Sequence, residues 1–372
     1  MTGPRLLVVG AGIVGRSVAY YASGAGAEVH LVDADADPSP TTRASLGVLT
    51  HFNGGDDAYG LLYRDGHALH ELLAEQLKEE TGMDVGWRPL GGIDVAFSEK
   101  DLQAVVERCE FNKARGCVAE LLDGKGVRNI EPLLREEAIG GLYFPGDHRV
   151  DPPALAAALL KAARRQGVDV TFGTALSRLE ARGGGVQAVF AGDAAGSIPK
   201  EFDYAVVAAG AWTGQLLAAS SAREEVGEQV AVRPVRGQHC VYEAGRGNLR
   251  RVLRYDGYHL IPTAEGITVA ATVEEVGFDL GTTAAAATQF GETLERVLGI
   301  RDRPIHQRAG LRPKPRKGRP VIAPLDDIPG VFVASGHYKN GVLLGPITGQ
   351  TVAAWALEGQ PPRDMSHFAI AR

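Results

Sequence analysis

The sequence predicts a mixed α/β protein in two parts: a parallel-stranded domain with helices on its faces, and an inserted, mostly antiparallel α+β domain. Three observations predict this. Residues 5–33 run as apolar strand, glycine turn, small-residue helix, and second strand ending on an acid. Buried-type strands return at 202–212 and 330–336, the second followed by a helical pattern. Between those returns, residues 228–273 hold several short strand-like runs, which suits antiparallel pairing.

The first unit is the most specific. Arg5–Val9 is apolar and free of breakers, and it leads straight into Gly10-Ala-Gly12-Ile13-Val14-Gly15. A helix follows to about Gly24, then Glu28–Val32 ends at Asp33. That order is the dinucleotide-binding unit of a Rossmann-like domain. Gly10 permits the tight turn, Gly12 lets the backbone approach a pyrophosphate, and Gly15 lets helix and strand pack closely. The pyrophosphate would sit on free amides at the helix N-terminus. Asp33 would accept from a ribose hydroxyl and repel a 2′-phosphate. The unit does not distinguish FAD from NAD.

The remaining elements follow from their punctuation. Residues 59–81 read as one long helix closed by Gly82, and 91–97 as a strand. Ser98-Glu-Lys-Asp101 is a capping box for a helix ending before Gly116. Asp151-Pro-Pro153 opens a helix to Gln166, because proline fits the first turn. A strand at 168–172 precedes a hairpin, 176–181 with 186–190, around a triple-glycine turn. Runs at 230–232, 238–242, 257–262 and 268–272 are strand candidates, and 283–298 is a helix. Ala309-Gly-Leu-Arg312-Pro313 reads as a glycine-containing turn carrying one arginine. A last helix starts near Val342. These readings divide the chain into a nucleotide domain (1–84, 143–220, 314–372) and a second domain (85–142, 221–313).

Composition excludes several classes. With 45% hydrophobic and 23% charged residues, the 372-residue chain is a globular protein. Its 48 glycines suit many tight turns and close backbone approaches. A formal charge of −6 gives no electrostatic reason to bind nucleic acid or an anionic membrane. No apolar run approaches the ~20 residues of a membrane span, and because the sequence opens directly on a core strand no signal peptide is expected. Cys109, Cys117 and Cys240 form no CxxC and leave one over in any pairing, as expected of reduced thiols in a cytoplasmic protein. His67-x-x-His70-Glu71 puts two imidazoles on one helix face, but nothing completes a metal site, and a solvated face is expected.

Three further segments stand out: Thr41-Thr42-Arg-Ala-Ser-Leu46-Gly47-Val48 after a short acidic loop, the Gly-Leu-Arg312-Pro stretch, and Gly336-His337-Tyr338-Lys339-Asn340-Gly341-Val342-Leu343 between a buried strand and a helix. With the N-terminal unit, the strand at 91–97, the Asp151-Pro helix and the Ala-Ala-Gly-Ala-Trp212 strand end, they span nearly the whole chain. Together they resemble the glycine oxidase branch of the D-amino-acid oxidase and sarcosine oxidase family of flavoenzymes.

The resemblance implies FAD. It places Ile13 and Val14 at the pyrophosphate, and Asp33 with Ala34 at the adenosine ribose. Thr41 and Thr42 would flank the diphosphate and ribityl chain, and Leu46, Gly47 and Val48 the flavin. Leu176 would contact the adenine. His337, Tyr338, Lys339, Asn340, Gly341, Val342 and Leu343 would wrap the pyrimidine end of the isoalloxazine. Gly341 would also stand at a helix N-terminus, whose partial positive charge favours an anionic reduced flavin. Relatives with covalent flavin use a cysteine near the Leu-Arg-Pro segment. None stands at 313–320 here, so non-covalent FAD is expected.

Arg312 would grip a substrate carboxylate, since its fork matches two oxygens. His259 stands where glycine oxidases carry a substrate-binding tyrosine. Val48 and Val273 stand where relatives carry pocket methionines, and Lys339 replaces an arginine. Strand alternation puts Tyr258 and His259 on opposite faces, so Tyr258 cannot take over that role. The smaller side chains imply a pocket that admits more than glycine.

The implied reaction is oxidative deamination of a small amino acid or secondary amine. Hydride passes from Cα to flavin N5, water hydrolyses the imine, and O2 takes the electrons to give H2O2. No general base is nominated, because the chemistry is centred on the flavin. The alternatives are a D-amino-acid dehydrogenase using a quinone or protein acceptor, a tRNA-modifying oxidase, and a non-catalytic flavin-binding protein. Homo-oligomerisation is compatible with the sequence.

Overall fold

A strand whose side chains are apolar on both faces must be covered on both. The central six-stranded sheet follows that rule. The computed structural model describes residues 3–36, 40–51, 55–191, 201–220, 228, 230, 232–243 and 248–370. Part of the acidic loop after Asp33 and part of the 230–232 run lie outside them.

Arg5–Val9 sits between Glu28–Val32 and Tyr204–Val207, parallel to both, with Val9 in register with Val32 and Val207. Asp169–Thr171 extends one side and Val331–Ser335 the other, also in parallel. Val321–Pro324 closes the edge antiparallel. Helices Ile13–Gly24, Pro152–Arg165 and Gly341–Glu358 pack on one face, with Leu6, Val8, Val18, Leu159 and Leu344 in a shared core. The opposite face, with Leu7, Val9 and Val207, packs on a three-stranded sheet through Leu179, Val186 and Phe202.

The first and last of those helices touch through glycines. A Cβ on Gly349 would lie 2.5 Å from the Ser17 carbonyl carbon and 2.7 Å from the Val18 nitrogen, both rigid backbone. Gly349→Ala is therefore expected to destabilise the fold by ~1–3 kcal/mol, the usual cost of overpacking. Gly24→Ala, whose Cβ meets only the Gln166 side chain at 3.6 Å, is the near-neutral control. Urea midpoints of the two variants check this.

The second sheet has eight strands. Its order is His306–Pro315, Val232–Tyr242, Gly266–Ala270, Tyr258–Thr263, Val252–Tyr255, Gly92–Ala96, Gly140–Phe144 and Glu120–Asp123. All neighbours are antiparallel except Val252–Tyr255 with Gly92–Ala96. Helix Ala284–Leu298 covers one face through Phe290, Leu294 and Val297.

Caps end the helices where polar side chains and glycines stand. Ser98, Asp151 and Thr283 each accept a first-turn amide, and Gly82 stops Ala58–Thr81 at φ 75°.

Several expectations change. The boundaries at 142/143 and 313/314 fall inside Gly140–Phe144 and His306–Pro315, strands that belong whole to the eight-stranded sheet. The Gly-Leu-Arg312-Pro segment is not a turn. It lies within His306–Pro315, paired along its length with Val232–Val241. Gly310 faces Gly237 and Pro313 faces Pro234, and the strand is at a sheet edge, where proline is tolerated.

The His67–His70 face is not solvated either. His70 is buried with Nε2 against the Leu343 carbonyl at 3.1 Å, and His67 Nε2 meets the Gly146 carbonyl at 3.0 Å. All three cysteines are free and buried. Among the described residues no helix is long and apolar enough to cross a membrane, and no His/Cys/Asp/Glu cluster fits a metal ion.

Candidate active site

One cavity of about 780 Å³ runs past the carboxyl ends of the parallel strands and under the eight-stranded sheet. Parallel sheets bind ligands at that edge. Every residue proposed above for cofactor or substrate lines it except Gly15. Gly15 instead packs below the turn, where a Cβ would overlap the Gly10 carbonyl oxygen. Its function is helix-to-strand packing, not ligand contact.

At one end Gly10 adopts φ 101°, and a Cβ there would come within 2.5 Å of the Ala208 carbonyl oxygen. No side chain caps the Ile13–Gly24 helix at Gly12, so its first amides face the cavity beside Ile13 and Val14. Asp33 is fixed at the strand end. Its Oδ2 accepts from Ala11 N at 2.5 Å and its Oδ1 from Asp35 N at 2.9 Å. Each oxygen keeps a further lone pair for a ligand hydroxyl. Thr41 Oγ1 donates to the Leu311 carbonyl at 2.9 Å, tying the threonine segment to the arginine strand.

At the other end the Gly341–Glu358 helix begins, again with no side-chain cap. The segment before it is held by its neighbours. Asn340 Nδ2 donates to the Tyr59 hydroxyl at 2.9 Å, and Tyr338 is left-handed at φ 51°, a conformation that costs a non-glycine residue free energy. His337 lines the cavity, but its Nε2 is paired with Thr348 Oγ1 at 3.0 Å, and burial lowers its pKa to about 4. It is a neutral structural group.

Arg312 reaches the cavity through a missing side chain. Gly237 lies diagonally opposite on the paired strand, and a Cβ there would occupy the guanidinium's position. Arg312 Nη1 donates to the Thr272 carbonyl at 2.9 Å. Burial lowers the guanidinium's pKa, while Tyr338 and Glu274 oppose that. Glu274 is itself engaged by Arg236 and Gln238. Gly237 and Thr272 escaped the sequence reading. The available signal was an isolated glycine inside a strand pattern, which marks a close approach.

His259 also faces the cavity, and Tyr258 turns away onto Phe290, ring centroids 5.9 Å apart, as alternation requires. Burial lowers the His259 pKa to about 4, aided by Arg254 and Lys339 and opposed by Asp94. Arg254 pairs with Asp94 and, at 2.5 Å, with Asp147 Oδ2. Asp147 Oδ1 in turn accepts from His51 N at 2.8 Å, so this buried network braces the chain next to Val48 and Thr50.

The charges are segregated. The acids on the cavity wall, Asp33 and Asp35, stand at the glycine-turn end, whereas Arg312 and Lys339 stand at the other. Two helix N-termini, a glycine cradle and a fixed ribose acceptor in one elongated cavity fit a flavin dinucleotide.

That combination defines a flavin-dependent oxidoreductase. Residues 5–355 match the family described as FAD dependent oxidoreductase (DAO), and the chain belongs to that family. It is 28% identical over 362 residues to a glycine oxidase of Bacillus licheniformis, covering 95% of this chain and 93% of that protein. The crystal structure of glycine oxidase from Geobacillus kaustophilus superposes with a TM-score of 0.87 at 25% identity over 99% of both chains. That of iminodiacetate oxidase from Chelativorans sp. BNC1 does so at 0.84 and 27% identity, over 98% of this chain and 99% of that one.

Proposed function

We propose that this chain is an FAD-dependent oxidase of a small amino acid or secondary amine, releasing an imine that water hydrolyses. Arg312 carries this reading: a guanidinium admitted by Gly237, anchored on the Thr272 carbonyl and unpaired with any carboxylate among the described residues. Its role is to hold the substrate carboxylate and thereby aim Cα. Bound FAD supplies the hydride acceptor. Ile13, Val14, Asp33, Ala34, Thr41 and Thr42 would hold its dinucleotide part and Leu176 its adenine. Leu46, Gly47, Val48 and residues 337–343 would surround the ring. The amides opening the Gly341–Glu358 helix favour negative charge at their end of the cavity. His259, neutral and buried, shapes the substrate side together with Val48 and Val273. No cysteine lines the cavity, which supports non-covalent attachment.

Two measurements test the proposal. Acid or heat precipitation should release all the flavin as FAD, and flavin retained in the pellet would overturn non-covalent binding. Anaerobic mixing with glycine, sarcosine and small D-amino acids should bleach the flavin band with at least one of them, and air should restore it with H2O2. A flavin reduced by none of these, or reoxidised only by an artificial acceptor, would overturn the oxidase reading.

A further inference from the structure

Several cations around the cavity are matched by carboxylates. Along the strands that carry Arg312, Arg236 is paired with Glu274 and Asp279, and Lys314 with Glu275 at 3.0 Å. Behind His259, Arg254 is paired with Asp94 and Asp147. Arg308, on the same edge strand, meets Glu265. Arg312 and Lys339, the two cations on the cavity wall, have no carboxylate partner among the described residues. On these strands Glu274, Asp279, Glu275 and Glu265 are each engaged by another cation.

The two unmatched cations act on the same space. Both line the cavity. The Lys339 ammonium is disfavoured by burial and by Arg312, and Lys339 in turn disfavours charge on His259. Lys339 Nζ lies 5.6 Å from the Tyr338 ring centroid, at the exposed rim, while Arg312 is set deeper. With His259 and His337 neutral, this end of the cavity carries two positive charges and no negative one.

We propose that Lys339 is a second anion subsite, and that the preferred substrates are small amines bearing two carboxylates. One carboxylate sits on Arg312 and the other on Lys339, with the amine and Cα between them. The proposal rests on the reading of Arg312 as the carboxylate grip. It adds a specificity determinant: a monocarboxylate satisfies only one cation and leaves the other repelled by its neighbour.

The test uses the FAD-loaded enzyme and two ethers that lack the amine, oxydiacetate with two carboxylates and methoxyacetate with one. Kd is read by calorimetry and by perturbation of the flavin spectrum. Wild type is expected to bind oxydiacetate roughly tenfold or more tightly than methoxyacetate, with the ratio shrinking as salt rises. Lys339→Met should bring the ratio close to one, and Lys339→Arg should retain most of it. The ratio of kcat/KM for iminodiacetate over sarcosine should fall in parallel. An unchanged ratio in Lys339→Met would overturn the proposal. Equal weakening of both ethers would also overturn it, because Lys339 would then serve the cofactor or the cavity as a whole. If neither ether binds wild type and no amine reduces its flavin, the Arg312 reading itself fails, and this one with it.

Discussion

Arg312→Ala is expected to keep its FAD and to lose roughly 10²-fold or more in kcat/KM on carboxylate substrates. The argument is geometric. The guanidinium is half-buried over Gly237 and held at Nη1 by the Thr272 carbonyl, which leaves its remaining donors for a ligand. On the proposed role of Arg312, losing it removes both the charge and the two-pronged contact that would orient Cα. Arg312→Lys should recover only part, since an ammonium cannot span two carboxylate oxygens. Steady-state kinetics, with FAD occupancy read from the visible spectrum, separate these outcomes. Near-normal kcat/KM in Arg312→Ala would reduce the residue to a strand side chain.

Acid should unfold the protein well above the range in which its carboxylates titrate. His70, His239 and His337 are buried, and burial is the first cause lowering each pKa to about 4 from the ordinary 6.5. The unfolded chain binds these protons below pH 6.5, whereas the folded chain refuses them until about pH 4. Stability is therefore full above 6.5, falls as pH drops through that window, and levels off for these groups below it. Each contributes a slope of up to ~1.4 kcal/mol per pH unit. Three together approach ~4, large against a total stability of ~5–15 kcal/mol. Half-buried His67 acts in the same sense. Glu131, held above its usual range by burial, opposes them as a single group. Urea unfolding of the holoenzyme at pH 7.5, 6 and 5 should show the loss, with proton uptake on unfolding. A flat profile across that range would show that the histidines accept protons in the folded state.

The sequence made the nucleotide end legible because its signals are local. Gly10, Gly12 and Asp33 act through the turn and strand they sit in, and the caps at Ser98, Asp151 and Thr283 are equally short-range. Arg312 was legible as a residue but not as a conformation. Gly310 and Pro313 carry turn chemistry, and only pairing with a strand some seventy residues earlier overrides it. Gly237 had no local meaning, since its use is set by an arginine on the neighbouring strand. The histidine pair at 67 and 70 read as solvated because the Leu343 and Gly146 carbonyls that bury it come from distant segments. Gly140–Phe144 went unread for a related reason: its two glycines weaken the strand pattern, and they are used where neighbouring backbone comes close.

The two helix N-termini that open into the cavity belong to helices far apart in sequence, Ile13–Gly24 and Gly341–Glu358. The strand Arg5–Val9 pairs with Tyr204–Val207, which pairs with Val331–Ser335, and the Gly341–Glu358 helix follows that strand. Ile13–Gly24 rests directly on that last helix through Gly349 and Gly345. The glycine turn alone is therefore not a closed cradle; residues 331–358 complete it. A cradle of this kind closes only when segments more than three hundred residues apart, roughly 13–24 and 341–358, have packed together. A ligand that binds only the closed cradle therefore ties those distant segments to one another and raises the stability of the whole fold by mass action.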